Sequence, residues 1–215
     1  MKLPLEKRLR KQAYRNMAYL QDDVLDVVYR VEPTAVLHGG TAIWRCYDGN
    51  RFSEDLDVYT IVGEDFKSKL EEEVRPLQLH VSKFRKTQNS IYAAISNDRT
   101  TVSLEIALRK YDHPVVKEYE KTNGSSMEIL TLLESDLLVE KLNAYCNRKL
   151  IRDIYDVYHL SRKAELNTQQ REKVKKLLTQ LPQPIDETNL PNLVLNGTTP
   201  SFSQMTKQIK QRLKS

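Results

Sequence analysis

Apolar residues recur at Leu5, Leu9, Met17, Leu20, Val24 and Val28, near the roughly 3.6-residue repeat of an amphipathic helix. They predict a helix over 5–30, closed by Pro33. A short apolar run over 34–37 predicts a strand entering His38-Gly39-Gly40, and 41–47 the first turns of a second helix. Asp48-Gly49-Asn50 is turn chemistry, and the end of Arg51–Tyr59 alternates as a strand does. A helix is expected over 64–74, ending before Pro76, then strands over 77–86, 90–96 and 100–108. In the last strand Val102, Leu104, Ile106 and Leu108 share one face, which leaves Ser103 and Glu105 on the other. Residues 110–126 read as loop, with a turn at Asn123-Gly124.

From 134 onward the pattern is helical, with helices expected over 135–148, 151–164, 168–180 and 201–214. Pro182, Pro184, Pro191 and Asn196-Gly197 make 182–200 an irregular connector. The order, a mixed α/β half before a helical half, predicts an α+β chain with a first domain over 1–133 and a second over 134–215. No internal repeat or low-complexity tract interrupts it.

Composition narrows the class. Hydrophobic residues make up 40% and charged residues 29%, and mean hydropathy is −0.58. No apolar run approaches the roughly 18 residues of a membrane helix, and no signal-type apolar segment follows the basic N-terminus. Cys46 and Cys146 have no metal-type spacing. A protein of the reducing cytoplasm is expected. The net charge of +5 is unevenly spread: residues 1–15 carry six bases and one acid, and 201–215 carry Lys207, Lys210, Arg212 and Lys214 with no acid. Basic ends on a more acidic body suit a nucleic-acid partner, or two solvated amphipathic helices.

The candidate chemistry lies in the first half. Asp55 and Asp57, two apart on a strand, point to one face, with Cα atoms roughly 6–7 Å apart. Paired carboxylates must be wet or hold a cation, and Mg²⁺ accepts one or two carboxylates plus substrate phosphate oxygens. Glu105, on another strand, becomes a third acid if that strand lies beside Asp57. The alternative is that Ser53 or Asp55 caps a turn while Glu105 faces solvent on an edge. Gly39-Gly40-Thr41 stands between strand and helix, where backbone N–H groups and a hydroxyl can meet a phosphate. It is not a P-loop, because no Gly-Lys-Ser/Thr follows.

A glycine turn, an Asp-x-Asp strand and a third acid resemble the nucleotidyltransferase superfamily of DNA polymerase β type. More closely, Gly39-Gly40-Thr41-Ala42-Ile43 followed by Arg51-Phe52-Ser53-Glu54-Asp55-Leu56-Asp57 resembles the AbiEii-type nucleotidyltransferase toxins. A second block agrees, Glu140-Lys141-Leu142-Asn143-Ala144 through Arg148, then Arg152-Asp153-Ile154-Tyr155-Asp156-Val157. Val157 stands where that family usually has Leu. The resemblance spans about 34–163.

The resemblance implies a polymerase β-like mixed sheet with flanking helices, and a helical half that completes the active-site cleft. It implies Mg²⁺ or Mn²⁺ held by Asp55, Asp57 and Glu105, with Glu105 alternatively polarising the incoming hydroxyl. Gly39, Gly40 and Thr41 would cradle phosphates, and Lys141 and Arg148 would meet the triphosphate or else be snorkelling surface cations. Asp153 and Asp156 would orient Lys141 or the nucleotide, or hold two helices together through Arg148 or Arg152. Arg51 and Ser53 would touch phosphate or anchor the acidic loop. The implied function is NTP-dependent nucleotide transfer to a macromolecule, RNA with a tRNA 3′ end as one case, or else a protein. A cognate antitoxin would be the partner. A non-catalytic nucleotide- or RNA-binding module on the same scaffold is the competing expectation.

Overall fold

Alternating and β-branched segments between 36 and 131 pair into one mixed sheet in the computed structural model, which describes residues 3–213. Its strands are β1 (Val36–His38), β2 (Leu56–Thr60), β3 (His80–Lys86), β4 (Ser90–Ser96), β5 (Thr101–Leu108), β6 (Val115–Glu120) and β7 (Ser126–Thr131), in the order β3-β4-β5-β2-β1-β7-β6. β2/β5 and β1/β7 pair in parallel, and the other neighbours are antiparallel. One face presents Leu56, Val58, Ile91, Ala93, Val102, Leu104 and Ile106, all buried. The helices on this unit are α1 (Leu5–Arg8), α2 (Gln12–Val31), α3 (Gly39–Cys46) and α4 (Phe66–Val74). α2 packs against β5, and α4 against α2 and β3.

Two expectations need correcting here. The helix expected over 5–30 is broken between α1 and α2, where Leu9 takes an extended conformation. A straight helix would set Lys7 against Lys11 and Lys11 against Arg15, like charges one turn apart that repel. The break instead lets the Arg15 guanidinium donate to Leu9 O at 3.0 Å, with Leu9 buried. The loop expected over 110–126 contains β6 and enters β7. Its turn at Asn123-Gly124 is where the sequence places it, but the charged string Val115-Val116-Lys117-Glu118-Tyr119-Glu120 hides an edge strand. Tyr119 is fully buried there, donating to Asp22 Oδ1 at 3.0 Å.

The second unit takes Tyr47–Phe52 and the described residues from Leu133 onward. Its helices are α5 (Glu134–Arg148), α6 (Ile151–Leu160), α7 (Thr168–Thr179), the single turn α8 (Leu190–Leu193) and α9 (Phe202–Arg212). α6 packs against α5 and α9. α7 and α9 both start with reciprocal capping boxes, Asn167 with Gln170 and Ser201 with Gln204. Residues 47–52 are held within this unit by Phe52 N–H to Leu193 O at 2.9 Å, Leu195 N–H to Asn50 O at 3.0 Å and an Arg51–Val194 bridge. The connector at 182–200 is irregular apart from α8 and a 3-10 turn. Lys214, counted above among the basic C-terminal residues, lies outside the described residues. Both cysteines are free thiols.

Candidate active site

In the sheet unit, β2 is the hinge of the site because it pairs with both β1 and β5. Its register sets Asp57 opposite His38 on β1 and Glu105 on β5. Directly paired residues share a face, so Asp57 and Glu105 stand side by side, about 4.8 Å apart along the sheet. They occupy the face opposite the buried aliphatic one. Glu105 is exposed and Asp57 half-buried. Asp55 lies one residue before β2 and is also half-buried.

Gly39 starts α3 with φ +72°, a conformation that favours glycine. A Cβ there would fall 2.1 Å from Asp57 Oδ2. The Asp57 carboxylate therefore occupies the space that any side chain at 39 would need, beside the first-turn N–H groups of α3. Those N–H groups have no partner within the helix and favour a negative charge nearby. Thr41 is fully buried, and its hydroxyl donates to Asp55 O at 2.6 Å. That hydroxyl is thus spent on the acidic segment, and the phosphate-binding capacity of the turn is its backbone.

Gln21, which the sequence reading did not single out, pins the same segment. Its Nε2 donates to Ser53 O at 2.8 Å and to Glu54 O at 2.9 Å, and the residue is fully buried. The signal was in the sequence: Gln21 falls in the apolar stripe Met17, Leu20, Val24, Val28 of α2, where a polar residue needs a buried partner. His38 stacks on Tyr59, with ring centroids 3.7 Å apart, and the Arg109 guanidinium covers Tyr59 at 4.0 Å.

In the helical unit the other expected residues form one ionic cluster. Arg51 grips Asp156 with two bonds, Nε to Oδ1 at 2.6 Å and Nη2 to Oδ2 at 2.5 Å, and its Nη1 donates to Phe52 O at 3.0 Å. Lys141 Nζ lies 3.1 Å from Asp156 Oδ2 and 3.6 Å from Asp153 Oδ1. Arg148 completes the chain with two bonds to Asp153, at 2.6 and 2.7 Å. Three cations face two carboxylates, a surplus of one positive charge. Asp153 and Asp156 are buried, Lys141 nearly so, and the Arg148 side chain is 45% exposed. Burial would push the Asp156 carboxyl up, but Arg51 and then Lys141 outweigh it and hold it below the usual carboxylate range. Burial likewise works against the Arg51 charge, and Asp156 more than restores it. Arg51 is a staple within this unit, with its guanidinium committed to protein acceptors. Tyr145 and Trp44 are core residues; the Tyr145 hydroxyl donates to Pro182 O at 2.5 Å.

A family model described as the nucleotidyl transferase AbiEii toxin of type IV toxin–antitoxin systems matches residues 27–214. The chain belongs to this family. It is a nucleotidyltransferase, and membership implies an NTP substrate and an antitoxin partner. The fold agrees. JHP933 from Helicobacter pylori superposes with a TM-score of 0.66 at 17% identity, covering 95% of this chain and 91% of that one. MenT4, a nucleotidyltransferase toxin from Mycobacterium tuberculosis, gives 0.66 at 20% identity, over 95% of this chain and 84% of that one. No curated protein matches the sequence. Among the described residues no helix is long and apolar enough to cross a membrane.

Among the described residues, no three His, Cys, Asp or Glu side chains gather into a metal-holding group. The acids of the sheet fit a different kind of site. A Mg²⁺ ion usually keeps several waters and takes one or two carboxylates together with substrate phosphates. Asp57 with Glu105 beside it, and Asp55 just before, supplies that donor chemistry next to a glycine turn whose first N–H groups have no partner within the helix.

Proposed function

We propose that this AbiEii chain transfers a nucleotide from an NTP to the hydroxyl of an RNA acceptor, a tRNA 3′ end being one such acceptor. The observation that carries the reading is the register of Asp57 with Glu105, together with the Gly39 turn shaped around the Asp57 carboxylate. The acceptor oxygen attacks the α-phosphorus, the bond to the β-phosphate oxygen breaks, and pyrophosphate leaves. Asp55 and Asp57 are the residues that would hold Mg²⁺ or Mn²⁺. Such a metal neutralises charge developing on the phosphate oxygens.

The chain's own groups do the positioning. The first-turn N–H groups of α3, at Gly39 and Gly40, bind triphosphate oxygens. Thr41 and Gln21 hold the backbone that carries the acids. Glu105, the exposed acid, orients the incoming hydroxyl and accepts its proton on a carboxylate oxygen. In the helical unit Asp153 and Asp156 orient Lys141, with Arg51 and Arg148 fixing those two in turn.

The test is incorporation. Purified protein with Mg²⁺ is incubated with each α-³²P-labelled NTP and total cellular RNA, beside an Asp55→Ala/Asp57→Ala control. Label in an RNA band that vanishes in the control is the expected result. Label in protein bands would move the acceptor to protein. A control that labels as well as the wild type would overturn the role of the acids.

A further inference from the structure

The row that contains Asp57 and Glu105 does not stop at β5. Register continues it from Glu105 to Tyr92 on β4 and from Tyr92 to Arg85 on the edge strand β3. Five residues, His38, Asp57, Glu105, Tyr92 and Arg85, therefore cross five adjacent strands on one face. Lys83 joins the same face two residues before Arg85, paired with Ala94, which in turn pairs with Ser103. Tyr92 and Ser103 tie the two inner strands together through their hydroxyls at 3.3 Å.

This outer part of the face is open. Lys83, Arg85 and Glu105 are exposed and Tyr92 is half-buried, whereas on the opposite face α4 packs on β3. Lys83 Nζ stands 5.3 Å from the Tyr92 ring centroid, so that ring presents a face a flexible, solvated side chain can reach. The charge order is specific: bases outermost, an aromatic ring next, acids innermost. From Arg85 to Asp57 is three strand spacings, about 14 Å. A polyanion with stackable bases and a terminal hydroxyl matches each step of that order. An acidic peptide would satisfy the bases but leave the ring unused.

We propose that this face is the acceptor platform: Lys83 and Arg85 bind phosphodiester oxygens of a single-stranded RNA end, Tyr92 stacks one of its bases, and the terminal hydroxyl lies at Glu105 and Asp57. The proposal rests on the nucleotidyl-transfer reading above for its last step only. Basic residues also protect edge strands from pairing with other chains, but that function requires neither the ring on the neighbouring strand nor alignment with the acids.

Binding is measured without NTP or metal, by fluorescence anisotropy with a 5′-labelled single-stranded RNA oligonucleotide across a salt series. Lys83→Ala/Arg85→Ala is expected to weaken binding and to flatten the salt slope by about 1.4, two phosphate contacts at roughly 0.7 each. Tyr92→Leu is expected to weaken it about tenfold, and Tyr92→Phe, which keeps the ring, to bind as the wild type does. NTP binding by all three variants should be unchanged, which separates the platform from misfolding. The comparison variant is Lys207→Ala/Lys210→Ala, two exposed bases on α9. If that variant flattens the slope and Lys83→Ala/Arg85→Ala does not, the platform is overturned. It is equally overturned if the wild type does not bind the oligonucleotide. Intact binding with the expected slopes but no transfer of label by the wild type would uphold the platform and sink the transfer reading instead.

Discussion

Gly39 and Asp57 compete for one place: a β-carbon on Gly39 would lie 2.1 Å from Asp57 Oδ2, closer than any nonbonded contact allows. The helix N-terminus and the inner acid are therefore built as a single object. Gly39→Ala must move the carboxylate and also hold a left-handed φ, a strain of about 1–3 kcal/mol. Nucleotide incorporation should fall about a hundredfold, the usual consequence of displacing a reacting group by about an ångström. The urea midpoint should fall only modestly. Wild-type incorporation by Gly39→Ala would mean that Asp57 is not needed where it lies.

Thr41→Val keeps the shape of the side chain and removes its bond to Asp55 O. The expected loss of stability is about 0.5–1.5 kcal/mol for one lost hydrogen bond, with a lower kcat and an unchanged KM for NTP. Thr41→Ser should restore both. A raised KM with normal kcat would instead place the hydroxyl on the nucleotide.

Gln21→Leu strips two backbone carbonyls, those of Ser53 and Glu54, of their buried donor. Thermal unfolding should register about 2–4 kcal/mol of destabilisation, from two orphaned acceptors. Transfer activity at low temperature, where the protein is folded, should fall as well, because the loop ahead of Asp55 loses its tether.

Arg51→Met leaves Asp156 buried beside the Lys141 ammonium, 3.1 Å away. Breaking a buried pair from one side costs about 3–5 kcal/mol. Arg51→Met/Asp156→Asn should be less destabilised than the sum of its single variants, with a coupling of about 1–3 kcal/mol. Urea unfolding of all four proteins measures this, and simple additivity would contradict the bidentate pair.

The same pair sets a pH response. The Asp156 carboxyl titrates lower in the folded chain than in the unfolded one, where an aspartate has a pKa of about 3.9. Its contribution is complete above that value and is lost as pH falls through the folded pKa. Wild-type stability should therefore drop faster than that of Asp156→Asn below about pH 4, by up to about 1.4 kcal/mol per pH unit. Above about pH 5 the two slopes should run parallel. Urea midpoints taken from pH 7 down to pH 3 decide it.

Local pattern and motif were enough to read the helix–strand–helix approach to the glycine turn, strand β5 with its two faces, and the long helices of the second half. They also mark Asp55, Asp57, Glu105 and Lys141 as the candidates to test. The β6–β7 hairpin escaped because an edge strand may carry charge on its open positions, so its composition imitates a loop. The break at Leu9 escaped because hydrophobic periodicity continues through it while the backbone does not.

By itself the sequence determined which residues are candidates to carry chemistry, since side-chain type and spacing along the chain are local properties. Only the tertiary structure decided which of them meet. That β2 pairs in parallel with β5, in the register that sets Asp57 beside Glu105, is a long-range choice, because slipping one strand by one residue would turn every side chain to the other face. The same holds for Arg51, which lies four residues from Asp55 in sequence yet spends its guanidinium on Asp156. A buried charge goes to the partner that packing brings within reach, and distance along the chain does not enter.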